Sequence, residues 1–311
     1  MTTIDEPPWR GAELFVRPGF EQRLEAEERG ALPDWRVRAI RHELEHGTGV
    51  VRLAGLLADE FDDADAVAAF ERLGHALGTP VSQNAAGETL LHVRDERFAA
   101  DDPRVRGPHT NRELSFHTDR CDVIAFFCVE PAATGGDSHV LRSDALHAAF
   151  AARHPELLAE VEGEFPYLRH TVDPSNPRPF TMVPLFTRHR GRFAASLLRV
   201  LIDRADRAED APDLTARQRA ALDRLEEVAD DPELYASFRL ARGEVLLLNN
   251  WVTFHRRTAF VDHDDPARCR HLLRLWLSMP GSRELDPRFA EHFGATEAGA
   301  VRGGIHPPRA R

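Results

Sequence analysis

Lysine is absent from this 311-residue chain, so all 40 residues of its combined Lys and Arg count are arginine. That absence excludes any chemistry that runs through a lysine Schiff base. Cysteine is scarce as well. Cys121, Cys128 and Cys269 are odd in number and lack metal-type spacing, which predicts reduced thiols, with Cys121 and Cys128 in or near the core. Long apolar runs are missing too. No stretch approaches the roughly 20 residues that span a bilayer, and the opening Met1 to Pro8 has neither a basic start nor an apolar signal core. A cytoplasmic enzyme with no membrane partner is expected. An excess of positive charge is lacking: the net charge is -11 and the arginines are spread among acids, which excludes a general nucleic-acid binder. Repeats, low-complexity tracts and linkers are also missing, so residues 1–311 read as one domain.

Among the residues present, Phe116-His117-Thr118-Asp119 stands out, followed by the apolar run Val123 to Val129 and, far downstream, Asn249-Asn250-Trp251-Val252-Thr253-Phe254-His255. On an extended strand, His117 and Asp119 leave the same face and reach adjacent positions of one ion. With His255 as third ligand, two imidazoles and a carboxylate leave three open positions on a six-coordinate metal, which suits ferrous iron holding a cosubstrate and O2. A second His-x-Asp, His263-Asp264-Asp265, runs into Pro266 and reads as a solvated turn. The competing reading of the first copy is a pair of hydrogen-bonded core histidines.

Arg270 to Leu277 reads as a strand whose even positions, Arg270, Leu272, Arg274 and Trp276, share one face. Two guanidiniums on so apolar a strand are costly to bury unless anions meet them. The alternatives are an exposed face or pairing with protein acids. Helices are predicted over 35–45, 62–77, 143–153, 155–162 and 215–229, and strands over 47–53 and 193–197. A turn and strand over 81–94 make Gln83, Asn84 and His92 candidate substrate contacts, against a plainer reading as ordinary loop polarity. The Gly-, Pro- and Arg-rich tail 299–311 is expected to fray, with a flap over the site as the alternative.

Taken together, Leu114 to Asp119, Ala133-Thr134-Gly135-Gly136-Asp137, Gly243-Glu244-Val245, Asn249-Asn250, His255 and Arg270 to Trp276 resemble, in order, the Fe(II)/2-oxoglutarate-dependent dioxygenases of the taurine dioxygenase-like (TauD/TfdA) branch, related to clavaminate synthase-like oxygenases. The resemblance spans about residues 45–280. It implies a mainly β fold with flanking helices and a double-stranded β-helix (jelly-roll) core, while the helical spacing of 215–229 marks a helical insert at about 203–238. It implies His117, Asp119 and His255 as iron ligands, Thr134 and Arg270 as the grip on 2-oxoglutarate, and Arg274 as a substrate or cosubstrate contact. Many relatives place Gly-Arg after the distal histidine where this chain has Arg256-Arg257, which puts the local loop in question. The implied reaction consumes O2 and 2-oxoglutarate, releases succinate and CO2, and hydroxylates or desaturates a small substrate. Because Asp119 is present, no ligand position is free for a halide. A second cation at Arg274 calls for a carboxylate-bearing substrate, an amino acid or derivative, with a sulfonate as runner-up. The other classes weighed are a cupin-like metal hydrolase or isomerase and a non-catalytic metal-binding jelly roll. Substrate identity and any homo-oligomer stay open.

Overall fold

A computed structural model describes residues 8–58, 60–98, 109–169 and 178–305. Its architecture rests on two facing β-sheets. The larger runs in the order Glu21–Arg23, Val50–Ala54, Val245–Asn249, Val123–Glu130, His271–Ser278 and Thr79–Val81, and Leu90–Val93 also pairs with His271–Ser278. All of these pairings are antiparallel except the first. The smaller sheet is Tyr235–Phe238, Ser138–Arg142 and Thr253–Arg257, antiparallel throughout. A mainly β jelly-roll core with flanking helices is thus what the chain forms.

The apolar run at 123–129 is continuous because both faces of its strand are covered. Val123, Ala125 and Phe127 pack under the helices Asp34–His46 and Asp63–Leu77, whereas Ile124 and Cys128 face the other sheet with Val140, Leu246, Leu272 and Trp276. The predicted parity of the 270–277 strand holds, since Leu272 and Trp276 point between the sheets and Leu273, Leu275 and Leu277 point to the helices. The helix Asp63–Leu77 starts where Asp62 accepts a hydrogen bond from the Asp65 amide (2.8 Å), and it buries Phe70, Leu73 and Leu77 along one stripe. Each such side chain stabilises the fold by about 1.5–3 kcal/mol.

Outside the smaller sheet lie the helices Ser143–Arg153 and Ala216–Ala229, the latter capped by Thr215 and burying Leu222 and Leu225. The stretch expected as a helical insert, 203–238, departs from that picture at its end. Tyr235–Phe238 is a strand that completes the smaller sheet against Ser138–Arg142.

Residues 299–305 do not fray. The Gly303, Gly304 and Ile305 amides donate to the carbonyls of Phe293 (2.8 Å), Arg120 (2.7 Å) and Ser82 (2.8 Å), and Ile305 is buried. Residues 306–311 lie outside the described residues. The anchor of this segment is an ion pair sealed in the interior: Arg302 Nε lies 2.7 Å from Asp122 Oδ1, with side-chain exposures of 0% and 2%. Asp122 also accepts from Trp251 Nε1 and the Met279 amide, both at 2.8 Å.

Removing one member of a buried pair leaves the other charge uncompensated, which costs about 3–5 kcal/mol. Arg302→Met is therefore expected to lower stability by that amount in urea unfolding. A loss below about 1 kcal/mol would show that the carboxylate finds water or another partner.

Candidate metal centre

The segment carrying His117 is extended but forms no strand. It makes one antiparallel bridge, in which His117 N donates to His255 O and His255 N donates to His117 O, both at 3.0 Å. Beyond the bridge, the Thr118 amide donates to Leu197 O (2.7 Å) and the Asp119 amide donates to Asn250 Oδ1 (3.1 Å). Thr118 is buried, its hydroxyl accepting from the Leu197 amide (3.0 Å), while His117 and Asp119 bring their ligand atoms together. On the Thr253–Arg257 strand, Phe254 enters the core behind the sheet, which turns His255 the other way.

His117, Asp119 and His255 each offer a ligand atom, and these atoms lie within 4.8 Å of one another. His255 Nε2 is 3.7 Å from Asp119 Oδ2, too far for a hydrogen bond, and the two imidazole centroids are 4.4 Å apart. Asp119 Oδ2 and His255 Nδ1 are buried without a hydrogen-bond partner. His117 Nδ1 lies 2.9 Å from the Ser115 carbonyl, which only accepts, so Nδ1 carries the proton and Nε2 keeps its lone pair. Burial, then the neighbouring His117 and Arg274, hold the His255 imidazolium well below its ordinary pKa, so that ring is neutral at pH 7. A nitrogen, nitrogen, oxygen donor set with an orphaned carboxylate oxygen fits a divalent first-row metal, Fe(II) included.

The three residues open onto a cavity of about 590 Å³. Arg270 lines it with Nη1 buried and unpaired, and burial holds this guanidinium down to about 10. The Gly135-Gly136 turn admits it: both glycines have positive φ (71°), and a Cβ on Gly136 would stand 3.1 Å from Arg270 Nε. Arg257 enters the same end, with its guanidinium carbon 4.8 Å from the Phe260 ring, across which Arg270 also lies. Arg256, where many relatives have glycine, lies over the Phe116 ring (4.4 Å) at the cavity's edge and pairs with Asp230, so the departure from Gly-Arg after the distal histidine falls on the cavity lining.

Arg274 lines the cavity but is engaged. Its Nε donates to Gln83 Oε1 (2.6 Å), and Nη1 is 4.0 Å from Asp119 Oδ2. Gln83 spends its amide on this contact and on the carbonyls of Thr89 (2.7 Å) and Arg274 (2.8 Å), so it braces the wall. Three sequence candidates lie elsewhere. Thr134 is exposed on the Thr134–Gly135 strand and does not line the cavity. Asn84 closes its own turn, accepting from the amides of Ala86 (3.0 Å) and Glu88 (3.3 Å). His92 sits opposite Leu273 on the helix side of the sheet, its Nδ1 2.7 Å from His271 Nε2. The second His-x-Asp is a turn, in which Asp265 caps Pro266–Arg268.

Two cavity residues were missed. Ser138, two before the inward Val140 on the Ser138–Arg142 strand, lines the cavity, and parity from Val140 was the available signal. Arg120 lines it directly after Asp119, with Nε buried and unpaired.

The family model for the taurine catabolism dioxygenase TauD, TfdA family matches residues 16–276. FR-33289 synthase of Streptomyces rubellomurinus is 31% identical over 265 residues, covering 83% of this chain and 77% of that protein. A taurine hydroxylase-like protein of Stachybotrys chartarum is 24% identical, covering 82% of this chain and 69% of its own. Among solved structures, asparagine oxygenase with Fe(II), 3-hydroxyasparagine and succinate superposes with a TM-score of 0.60 at 16% identity, covering 94% of this chain and 100% of that one. The non-heme iron oxygenase OrfP with Fe and alpha-ketoglutaric acid gives 0.61 at 14%, covering 90% and 99%.

Asn250 holds the amide of Asp119 and, through Nδ2, approaches Cys121 O (3.3 Å), so it fixes where the carboxylate stands. Loss of a group that orients a metal ligand typically weakens metal binding about 10- to 100-fold. Asn250→Ala is expected to do so in Mn(II) or Fe(II) titrations while far-UV circular dichroism stays unchanged. Wild-type metal affinity in that variant would remove Asn250 from the site.

Proposed function

The chain belongs to the taurine catabolism dioxygenase TauD, TfdA family and is an Fe(II)- and 2-oxoglutarate-dependent dioxygenase, and from that premise we propose the roles of its residues and the class of its substrate. His117, Asp119 and His255 hold the iron. Arg270 and Ser138 hold the remote carboxylate of 2-oxoglutarate. The substrate is a small acid, an amino acid or a derivative of one, with a sulfonate as the alternative. The observation that carries this reading is the set of unsatisfied buried atoms around one cavity: a carboxylate oxygen, an imidazole nitrogen and a guanidinium nitrogen, at Asp119, His255 and Arg270.

Iron and 2-oxoglutarate, with O2, supply the oxidation, 2-oxoglutarate leaving as succinate and CO2 while oxygen is delivered to a substrate C–H bond. The chain's own contribution is placement. The Ser115 carbonyl fixes the His117 tautomer, and Asn250 fixes the Asp119 backbone. The guanidinium fork of Arg270 matches a carboxylate in two parallel hydrogen bonds, and its contact with Phe260 and Gly136 restricts the rotamers that would misplace it. Phe126, Val140, Leu246 and Leu272 line the inner cavity wall with apolar surface that excludes water from the reacting bond. The substrate class draws on the neighbours' bound molecules, 3-hydroxyasparagine and a hydroxy-arginine, both small acids.

O2-dependent succinate formation from 2-oxoglutarate with Fe(II) and ascorbate, scored across a library of small acids, tests the reading. Turnover that needs neither 2-oxoglutarate nor O2 would instead indicate a hydrolase or isomerase. Within the assay, Asp119→Ala is expected to abolish succinate release; near-wild-type release at unchanged iron occupancy would refute the ligand set. Arg270→Ala is expected to raise the 2-oxoglutarate requirement about tenfold more than Ser138→Ala, because a charge-assisted contact is worth about 1.5–3 kcal/mol and a neutral one about 1. Thr134→Ala, outside the cavity, should leave that requirement unchanged. Coincident titrations for Arg270→Ala and wild type would mean the carboxylate is held elsewhere.

A further inference from the structure

We propose that Arg120 is the receptor for an oxyanion on the substrate, and that the substrate carries this group without a free ammonium. The inference rests on the assignment of Arg270 to 2-oxoglutarate and goes beyond it by naming the second anion site of the same cavity.

The cavity holds more arginine than its acids can match. Arg274 is accounted for by Gln83 and by the approach to Asp119. Arg199 is ringed by Asp203 (2.7 Å), Asp223 (2.8 Å) and Glu226 (3.2 Å). Arg256 is paired with Asp230, and Arg257 donates to the Arg112 carbonyl beside Arg270. Arg204 is exposed, and water serves it. Arg120 differs from all of these. Its Nε is buried without a hydrogen-bond partner, and among the described residues no carboxylate lies within ion-pair distance of it. A guanidinium whose Nε is withdrawn from water with no partner among the described residues is costly to a fold, unless a ligand supplies the anion.

The arm that carries Arg120 is held in place before any ligand arrives. Its carbonyl accepts from the Gly304 amide (2.7 Å), and Gly303 packs so closely that a Cβ there would stand 2.4 Å from the same oxygen. Arg120 lines the same cavity as His117, Asp119 and His255, so an oxyanion on Arg120 keeps the rest of a small substrate within the space onto which the metal ligands open. Tyr167, Leu198, Leu201 and Phe293 add apolar wall to the same cavity. Tyr167 Oη is already occupied, donating to Ser196 O (3.0 Å) and accepting from the Leu198 amide (3.1 Å).

The acids lining the cavity sharpen the class. Asp203 and Glu226 are committed to Arg199, Glu113 stands 3.8 Å from Arg256, and Asp119 belongs to the metal site. Among the described lining acids, a substrate ammonium would find only Glu113, largely exposed to water and 3.8 Å from Arg256, outside these close pairings. The arrangement therefore selects an acid whose amine is absent or acylated, with a carboxylate, sulfonate or phosphonate as the group that Arg120 forks.

The test is calorimetric titration of Mn(II)-loaded full-length protein, saturated with 2-oxoglutarate, with acetate, methanesulfonate and methylphosphonate as probes. At least one is expected to bind wild type, and the ranking identifies the oxyanion. Arg120→Met should weaken it by about 10- to 100-fold, Arg120→Lys by less, with 2-oxoglutarate affinity moving under about threefold. Equal probe affinity in wild type and Arg120→Met, or no binding of any probe to wild type, overturns the proposal. N-acetylglycine should bind at least as tightly as glycine; glycine binding about tenfold more tightly would overturn the exclusion of an ammonium. If 2-oxoglutarate itself fails to bind, the Arg270 assignment falls, and the probe titrations repeated without it still decide Arg120.

Discussion

The bridge between His117 and His255 is the contact on which the site depends. Two reciprocal backbone hydrogen bonds, with the Leu114 amide to Arg257 O (3.0 Å) beside them, join an extended segment that forms no strand to the smaller sheet, and they bring together residues 138 positions apart in sequence. Because the bridge is antiparallel, the two imidazoles stand side by side on one face, and Asp119 returns to that face two residues on. Everything beyond Asp119 serves to hold this short segment still. Thr118 is tied to Leu197, Asp119 to Asn250, and Asp122 to the interior pair with Arg302. A ladder would have done this with regular pairing. Here side chains and a returning tail do it, which leaves the carboxylate free to face the cavity.

Charge is used differently at the two depths of the protein. Asp122 and Arg302 are both buried and satisfied, with Trp251, Met279 and the Arg283 carbonyl taking up the remaining hydrogen-bonding capacity. Their role is to pin the 299–305 segment against the larger sheet. Around the cavity, by contrast, Asp119, His255, Arg270 and Arg120 each keep a buried nitrogen or oxygen atom unpaired. The first arrangement stabilises the fold by itself; the second stores a penalty that ligands relieve.

How much of this was legible follows from the kind of signal each element carries. The helices at 34–46, 63–77 and 216–229 announce themselves through caps at Asp62 and Thr215 and through apolar spacing. Arg270 to Trp276 could be assigned to one face because a strand's period is two and both its faces are apolar. The proposed triad was nominated by two of its members sitting two apart and, for His255, by the resemblance of the Asn249 to His255 phrase to the family's pattern. Thr134, Asn84 and His92 were not placed correctly by pattern, for separate reasons. Thr134 and Ser138 both flank the Gly-Gly turn, and only the register of Ser138–Arg142 shows which hydroxyl looks inward. Asn84 spends its side chain on its own turn, as a residue of that type commonly does. His92 lies one residue from the inward Val93, and such a slip moves a side chain to the opposite face.

Arg120 illustrates the deeper limit. All 40 residues of the combined Lys and Arg count are arginine, so neither composition nor spacing distinguishes one that lines the cavity with a buried Nε unpaired among the described residues. A cation's partner is a property of three-dimensional neighbours drawn from remote segments, here 167–201 and 293–305, that converge only once the tail has packed. The tail looked dispensable in sequence because glycine and arginine are common in frayed ends. Its glycines are there because the backbone passes within a Cβ's width of Arg120 O and Ser82 O, and its arginine is there because Asp122 is buried beneath it. The same segment therefore clamps the arm that bears Asp119 and Arg120 and closes the cavity wall with Ile305, so these two side chains inherit their positions from one packed stretch of chain.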